Sequence, residues 1–265
     1  MVEAMKKRRW AGRLTLLAAI LGFGSVAAAL IAALGAGWGA WHFGVGFTVL
    51  RYAFFGAIAG IVLGLVAALV ARRAAPRLVL LNVAAILVAG AFVAFLGSQV
   101  RTARSVPPIH DITTNLDDWP RFYRLTVRDD NLAVIPDMGR ADLAVLEPRE
   151  RWKAIHREHY GDIATIRVPW SVEEAVTRAR ALAEERGWEI VTTDPRNGIV
   201  EAVDTSFFFR FKDNVVLRVR PAGDGGGSLV DMRSISRVGV SDVGVNAGRI
   251  REFLADLRRG DSRAG

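Results

Sequence analysis

Three long apolar runs crowd into the first hundred residues, and they constrain this chain more than anything else in it. Leu14–Leu34 contains no charged residue, and its only hydroxyls are Thr15 and Ser25. The second run covers about residues 46–70, with Arg51 near one end. The third covers about residues 78–97, where Asn82 is the only strongly polar residue. Each has roughly the 20 residues a helix needs to cross a ~30 Å hydrocarbon layer. Lipid offers the backbone no hydrogen-bond partner, so such runs read as helices. A buried core helix would explain one of them but not three in succession.

Charge gives the anchor a direction. Residues 1–100 hold nine Lys/Arg and one acid, Glu3, which accounts for the whole net charge of +8. The remaining 26 basic and 26 acidic residues cancel. The basic balance therefore implies a membrane anchor rather than a nucleic-acid-binding domain. Lys6–Arg13 precede the first run, and Arg72, Arg73 and Arg77 lie between the second and third. The loop at 35–45 has neither Lys nor Arg. The positive-inside rule then puts the N-terminus in the cytoplasm and everything after about residue 98 outside it. Arg101 and Arg104 point the other way, but a large following domain translocates with little regard to charge. The Ala-, Arg- and Gly-rich composition suggests a bacterium with a GC-rich genome. The expected location is the inner membrane, with a periplasmic C-terminal domain.

Gly56, Gly60 and Gly64 recur every four residues in the second run, which lets another helix backbone approach closely. Either the spans pack on one another there, or two copies form a homo-oligomer. Trp38, Trp41 and His42 suit an interfacial belt. With no cysteine in the chain, thiol catalysis and thiolate metal sites are excluded.

The expected domain plan has a basic stretch at 1–13, the spans, and a linker at 98–108 that ends in the stiff, extended Val106-Pro107-Pro108. An irregular extension follows at 109–162, in which Glu147–His159 suits a short helix, then a regular domain at 163–258 and a disordered tail at 259–265. Within the domain, Ile163–Val168 alternates as a strand. Ser171-Val172-Glu173-Glu174 is a capping box opening a helix that stops at Gly187. Strands are expected at Trp188–Thr193, Ile199–Val203, Thr205–Phe211, Asn214–Arg220 and Leu229–Val238. Lys212-Asp213 would turn between two of them, and Gly223–Gly227 between the last two, where Asp224 would repel phosphate. Asp242 caps a final helix. The fold class is α+β: an antiparallel sheet with two helices on one face, in the strand-helix-strands-helix order of helix-grip or TATA-binding-protein-like folds. That likeness carries no function.

Alternation along the strands puts Phe207, Phe209 and Phe211 under the helices with Val215, Leu217 and Val219. The open face would carry Arg210, Arg218, Arg220 and Arg233 with Glu201 and Asp231. Arg233 joins Arg210, Arg218, Arg237 and Arg249 as a candidate anion-binding set, because a guanidinium grips carboxylate or phosphate through two parallel hydrogen bonds. The competing reading folds the 105–160 segment over this face and pairs the arginines with Asp111, Asp117 or Asp118.

Several stretches, Ile109-His110-Asp111-Ile112-Thr113-Thr114, Pro120-Arg121-Phe122, Thr205–Asp213 and above all Ser234–Asn246 with Arg249-Ile250, resemble the bacterial family called domain of unknown function 1499. The likeness spans about residues 105–258. Members are often preceded by membrane spans. The resemblance implies a domain boundary and no activity.

Signs of catalysis are sparse. His110, Asp111, Ser241 and Asp242 form a candidate polar cluster, from which a tethered hydrolase would draw His110, Asp111 and Ser241. A His and its orienting acid adjacent in sequence need special geometry to act together. Ser241 and Asp242 before a helix are also ordinary capping residues. His156 and His159 do not follow the zinc pattern His-Glu-x-x-His, so no metal is expected, nor any cofactor. The start of the final helix, with Arg237 and Arg249 near, would favour an anion. The preferred expectation is a non-enzymatic envelope membrane protein. Its periplasmic domain would bind an amphiphile, an anionic small molecule or a protein partner near the membrane. A transmembrane assembly regulated by the soluble domain is the further alternative, although one Asn and no acid in the spans give little for an ion path.

Overall fold

The computed structural model describes residues 2–223 and 225–260. The chain divides into two compact units. One holds the residues up to Arg101 together with Phe207–Arg210, and the other holds Thr102–Ser206 with the residues from Phe211 on.

The first unit is built on α1 (Val2–Gly37), α2 (Phe43–Ala74) and α3 (Arg77–Ser105). All three are long and apolar enough to cross a membrane. They extend beyond the apolar runs because nothing breaks a helix at their ends: α1 already includes Lys6–Arg13, and α3 takes up most of the expected linker at 98–108. His42 caps α2, its Nδ1 accepting from Gly44 N at 3.1 Å. The buried positions of α2 are all small: Gly46, Ala53, Ala57, Gly60, Gly64, Ala67 and Ala71. From Ala53 on they recur every three or four residues, and Gly46 lies two turns before, so they form one seam. A Cβ on Gly60 would lie 2.7 Å from Gly22 N of α1, and one on Gly56 2.5 Å from Ser25 Oγ. One on Gly64 would lie 2.9 Å from Ile86 Cγ1 of α3. The three glycines are thus used within the chain, against its own neighbouring spans.

The second unit contains β1 (Asp111–Thr113), α4 (Ala141–Ala144), α5 (Pro148–Tyr160), β2 (Ile166–Val168), α6 (Val172–Glu185), β3 (Glu189–Asp194), β4 (Ile199–Thr205), β5 (Lys212–Pro221), β6 (Ser228–Ser236) and α7 (Val245–Arg259). The sheet is antiparallel, in the order β1-β6-β5-β4-β3, and β2 also pairs with β6. Strand β1 adds to that edge from the stretch read as irregular: three residues are too few to show alternation, yet they pair as Asp111↔Ile235, Ile112↔Ser234 and Thr113↔Arg233. Ser171 caps α6, accepting from Glu174 N. Ala175, Val176, Ala179, Ile250, Phe253 and Leu257 from α6 and α7 join Val200, Ala202, Val215, Leu217, Val219, Val230 and Met232 of the sheet in one buried cluster.

The expected strand at Thr205–Phe211 is corrected. Strand β4 ends at Thr205, and Ser206–Phe211 makes the turn, closed by Ser206 N to Phe211 O and Phe211 N to Ser206 Oγ, both at 2.9 Å. Lys212 and Asp213 lie in β5 opposite Thr205 and Asp204. Arg210 has φ 55°, off the extended path a strand needs. Phe207 is exposed and Phe209 and Phe211 are half-buried outside the core cluster, so the three form no floor under the helices. Of the expected tail, Arg259 ends α7 and Gly260 caps it. Residues 261–265, and Asp224 of the Gly223–Gly227 hairpin, lie outside the described residues.

Candidate functional site

Alternation on β4, β5 and β6 sends Glu201, Arg218, Asp231 and Arg233 to the sheet face away from α6 and α7, where the sequence pattern puts them. That face is not open. The stretch from Asn115 to Asn131 lies across it. Glu201, fully buried, accepts from three successive backbone N–H groups, of Tyr123, Arg124 (3.1 Å) and Leu125 (2.8 Å). Arg233 donates two bonds to the buried Asp111 carboxylate, at 2.9 and 2.7 Å. Buried Asp231 accepts from Arg218 (2.9 Å), Arg220 (2.7 Å) and the Thr165 hydroxyl (2.5 Å). Arg218 reaches on to Asp118 at 3.0 Å, and this bond holds the Asp118 carboxyl below its ordinary range. Paired charges of this kind hold the covering stretch down, since removing one partner strands the other.

The remaining anion-binding candidates are scattered. Arg249 is buried on α7 and donates to Asp204, Asp213 and Ser234 Oγ at 2.7–2.9 Å. Exposed Arg237 donates through Nε to Asn214 Oδ1 at 2.7 Å. Arg210 is in the β4–β5 turn, so it shares no strand face with Arg218. The two aspartates that hold Arg249, Asp204 and Asp213, face each other across β4 and β5, a pairing set by the corrected turn.

The His110 cluster assembles no triad. His110 Nδ1 lies 3.1 Å from Val240 O, and Nε2 lies 3.1 Å from Asn131 Oδ1. Asn131 in turn donates to Asp111 at 2.6 Å. Both imidazole nitrogens are thus taken, and Asp111 serves Arg233 rather than the ring. Ser241 Oγ accepts from Val243 N, and Asp242 accepts from Gly244 N (2.9 Å) and Asn246 N (2.6 Å). The N-cap of α7 is Gly244 rather than Asp242; Ser241 closes the turn before it, Asp242 reaches into the first turn at Asn246, and burial pushes the Asp242 carboxyl up. His156 is buried against Trp152 and Tyr160, with Nε2 accepting from Thr113 N at 3.2 Å. Burial lowers its pKa to about 4. Among the described residues no group of His, Asp and Glu is placed to hold a metal ion.

Of the clefts among the described residues, the one beside the covering stretch combines aromatic and basic side chains. This cleft of about 350 Å³ is lined by Asp117, Asp118, Trp119, Arg121, Phe122, Val127, Arg149 and Arg233. The Trp119 ring sits between two guanidinium groups, Arg149 at 4.4 Å and Arg233 at 4.9 Å from its centroid. Trp152 meets Trp119 edge-on at 5.4 Å and anchors its own ring through Nε1 to Asp111 O at 2.8 Å. Asp118 is matched by Arg218, and Asp117 lies 3.6 Å from both Lys153 and Arg157. Among the described residues neither Arg121 nor Arg149 has a carboxylate within 4.0 Å. The cleft thus offers an aromatic wall and two arginines outside any close ion pair, with the Asp117 and Asp118 carboxylates on its rim, features that suit an anion with an apolar body. Sequence reasoning missed it. Its only trace was the interleaving of aromatic and basic residues in Trp119-Pro120-Arg121-Phe122, inside a stretch with no periodicity to give it a face.

Residues 111–257, more than half of the chain, match the family described as protein of unknown function, DUF1499, and the chain belongs to that family. No curated protein matches it.

Proposed function

We propose that this member of the family is a non-enzymatic binding protein of the bacterial inner membrane. Its sheet domain faces the periplasm and takes an anionic ligand with an apolar or aromatic portion in the Trp119 cleft. The observation that carries the reading is the cleft itself: Trp119 flanked by Arg149 and Arg233, with Arg121 and Phe122 beside it. Arg233 is spent on Asp111, so it shapes the wall, while Arg121 and Arg149 are left to meet the ligand's charge. A charge-assisted hydrogen bond to such a ligand contributes ~1.5–3 kcal/mol. The occupied nitrogens of His110 and the local backbone contacts of Ser241 and Asp242 favour binding over hydrolysis. The orientation rests on the excess of Lys and Arg at Lys6–Arg13 and at Arg72, Arg73 and Arg77 over a first loop at 35–45 that has neither.

Mass spectrometry of small molecules that co-purify with the detergent-extracted protein tests the ligand. An anionic amphiphile or metabolite should accompany the wild type and be lost from the double variant Arg121→Gln/Arg149→Gln. An unchanged profile in the variant would remove the cleft from the proposal. A reporter active only outside the cytoplasm should work when fused after residue 265 and be silent between Arg73 and Pro76. The reverse pattern would invert the orientation.

A further inference from the structure

The turn that replaces the expected strand belongs to the apolar unit, and its chemistry suits that company. Ser206–Phe211 carries three consecutive phenylalanines, which a solvent-facing hairpin tip would not favour. Phe209 stacks on Phe47 of α2, with ring centroids 4.8 Å apart and planes 30° apart. The approach is close on both helices. A Cβ on Gly46 would come 2.8 Å from Phe209 Cε1, and one on Gly37 2.6 Å from Phe208 O. Both contacts lie at the end of the unit where α1 finishes and α2 begins, beside Trp38 and Trp41.

The other two rings of the tip are left over. Phe207 is 77% exposed and Phe208 42% exposed, and they meet edge-on at 5.1 Å. At the same end of α1 and α2, Trp38, Val45 and Phe47 are also exposed. These exposed apolar side chains lie at the same end of α1 and α2. In water such a patch is costly; aromatic side chains at the hydrocarbon–headgroup boundary are at home.

We propose that Phe207 and Phe208 insert into the lipid interface at the outer ends of α1 and α2, so that the β4–β5 tip is a fourth, non-helical membrane contact. The partner is the bilayer itself. The inference rests on the membrane reading of the three helices, and the test separates the two.

The chain has no cysteine, so single cysteines can be introduced for spin labels without a background. The full-length protein carrying Phe207→Cys would be reconstituted in vesicles of phosphatidylethanolamine and phosphatidylglycerol. Its collisions with oxygen, which partitions into lipid, and with a water-soluble nickel chelate would then be compared. Phe55→Cys, on an exposed position of α2, is the lipid reference, and Val191→Cys, on an exposed position of β3, is the water reference. The expected result at 207 is the lipid pattern: oxygen collisions retained and nickel collisions lost. A water pattern at 207 with a lipid pattern at 55 overturns the insertion alone. A water pattern at both overturns the membrane reading as well. Exclusion of both reagents at 207 would mean that protein, such as a second copy, covers the tip, and would also overturn it.

Discussion

Asn82 in the first unit and Arg233 in the second are both buried, and the surroundings that make each tolerable are opposite. Asn82 sits among alanines and glycines. It gives one hydrogen bond to Thr15 Oγ1 at 3.0 Å and one to Leu78 O at 2.9 Å, and its Oδ1 has no partner among the described residues. Arg233 sits in a web with Asp111, Asn131, His110 and Trp119 in which each polar group serves the next. The helical unit closes by bringing backbones together over small residues, and polar atoms are nearly left out of it. The sheet domain closes by pinning a strand-poor segment over a charged face. The first depends on side-chain size and the second on pairing.

Substitutions should separate these two modes. The largest effect is expected for Arg233→Gln, which leaves the Asp111 carboxylate buried without its bidentate partner. A loss of ~3–5 kcal/mol is expected, seen as a large fall in the melting temperature of the full-length protein. A change below about 1 kcal/mol would show that water reaches Asp111 and that the covering segment is loosely held.

Acid should act on the domain alone. His156 is neutral in the fold, with its pKa lowered by burial to about 4 from 6.5. On acidification the unfolded chain takes up the proton first, so the contribution is whole above about pH 6.5 and is lost as pH falls toward 4. At one unit for each 1.36 kcal/mol the loss is at most about 3 kcal/mol. Asp242, shifted up by burial, acts with the opposite sign at the acid end. Replacing His156 with Leu should flatten the acid limb of the stability curve; an unchanged limb would place the titrating group elsewhere.

Gly60→Leu tests the helical mode. Its Cβ would already fall 2.7 Å from Gly22 N, a backbone atom that cannot swing away. Overpacking of ~1–3 kcal/mol should reduce the yield of monodisperse protein in detergent. Wild-type behaviour would mean that α1 and α2 do not meet there. The smallest effect is expected for Asn82→Leu, which removes one interhelical hydrogen bond. Such bonds average about 0.6 kcal/mol within membranes. A loss several times larger would bring the helical unit closer to the sheet domain in its dependence on pairing.

Much of this architecture could be read along the chain. The runs between residues 14 and 97 are uniform, and length alone makes them helices. The capping box at Ser171, the stripe of α7 and the alternation of Val215, Leu217 and Val219 repeat local rules often enough to fix their elements. Even the facing of Glu201, Asp231 and Arg233 followed from a period of two. The misplaced turn shows the limit. Thr205–Phe211 has aromatics at 207, 209 and 211, as one face of a strand would, yet Phe209 finds its stack on Phe47, about 160 residues away in sequence. No local pattern encodes that contact.

The sequence by itself determined where apolar surface must be buried and which residues share a face, because helix and strand periods are properties of the backbone. Only the tertiary structure decided which charges meet. Glu201 gathers the N–H groups of residues 123–125, and Arg233 finds Asp111, through contacts between segments 76 to 122 positions apart. Such pairs depend on where the chain returns to itself. A charged residue looks the same in sequence whether it ends as a solvated side chain, a binding group or a pin beneath a covering loop.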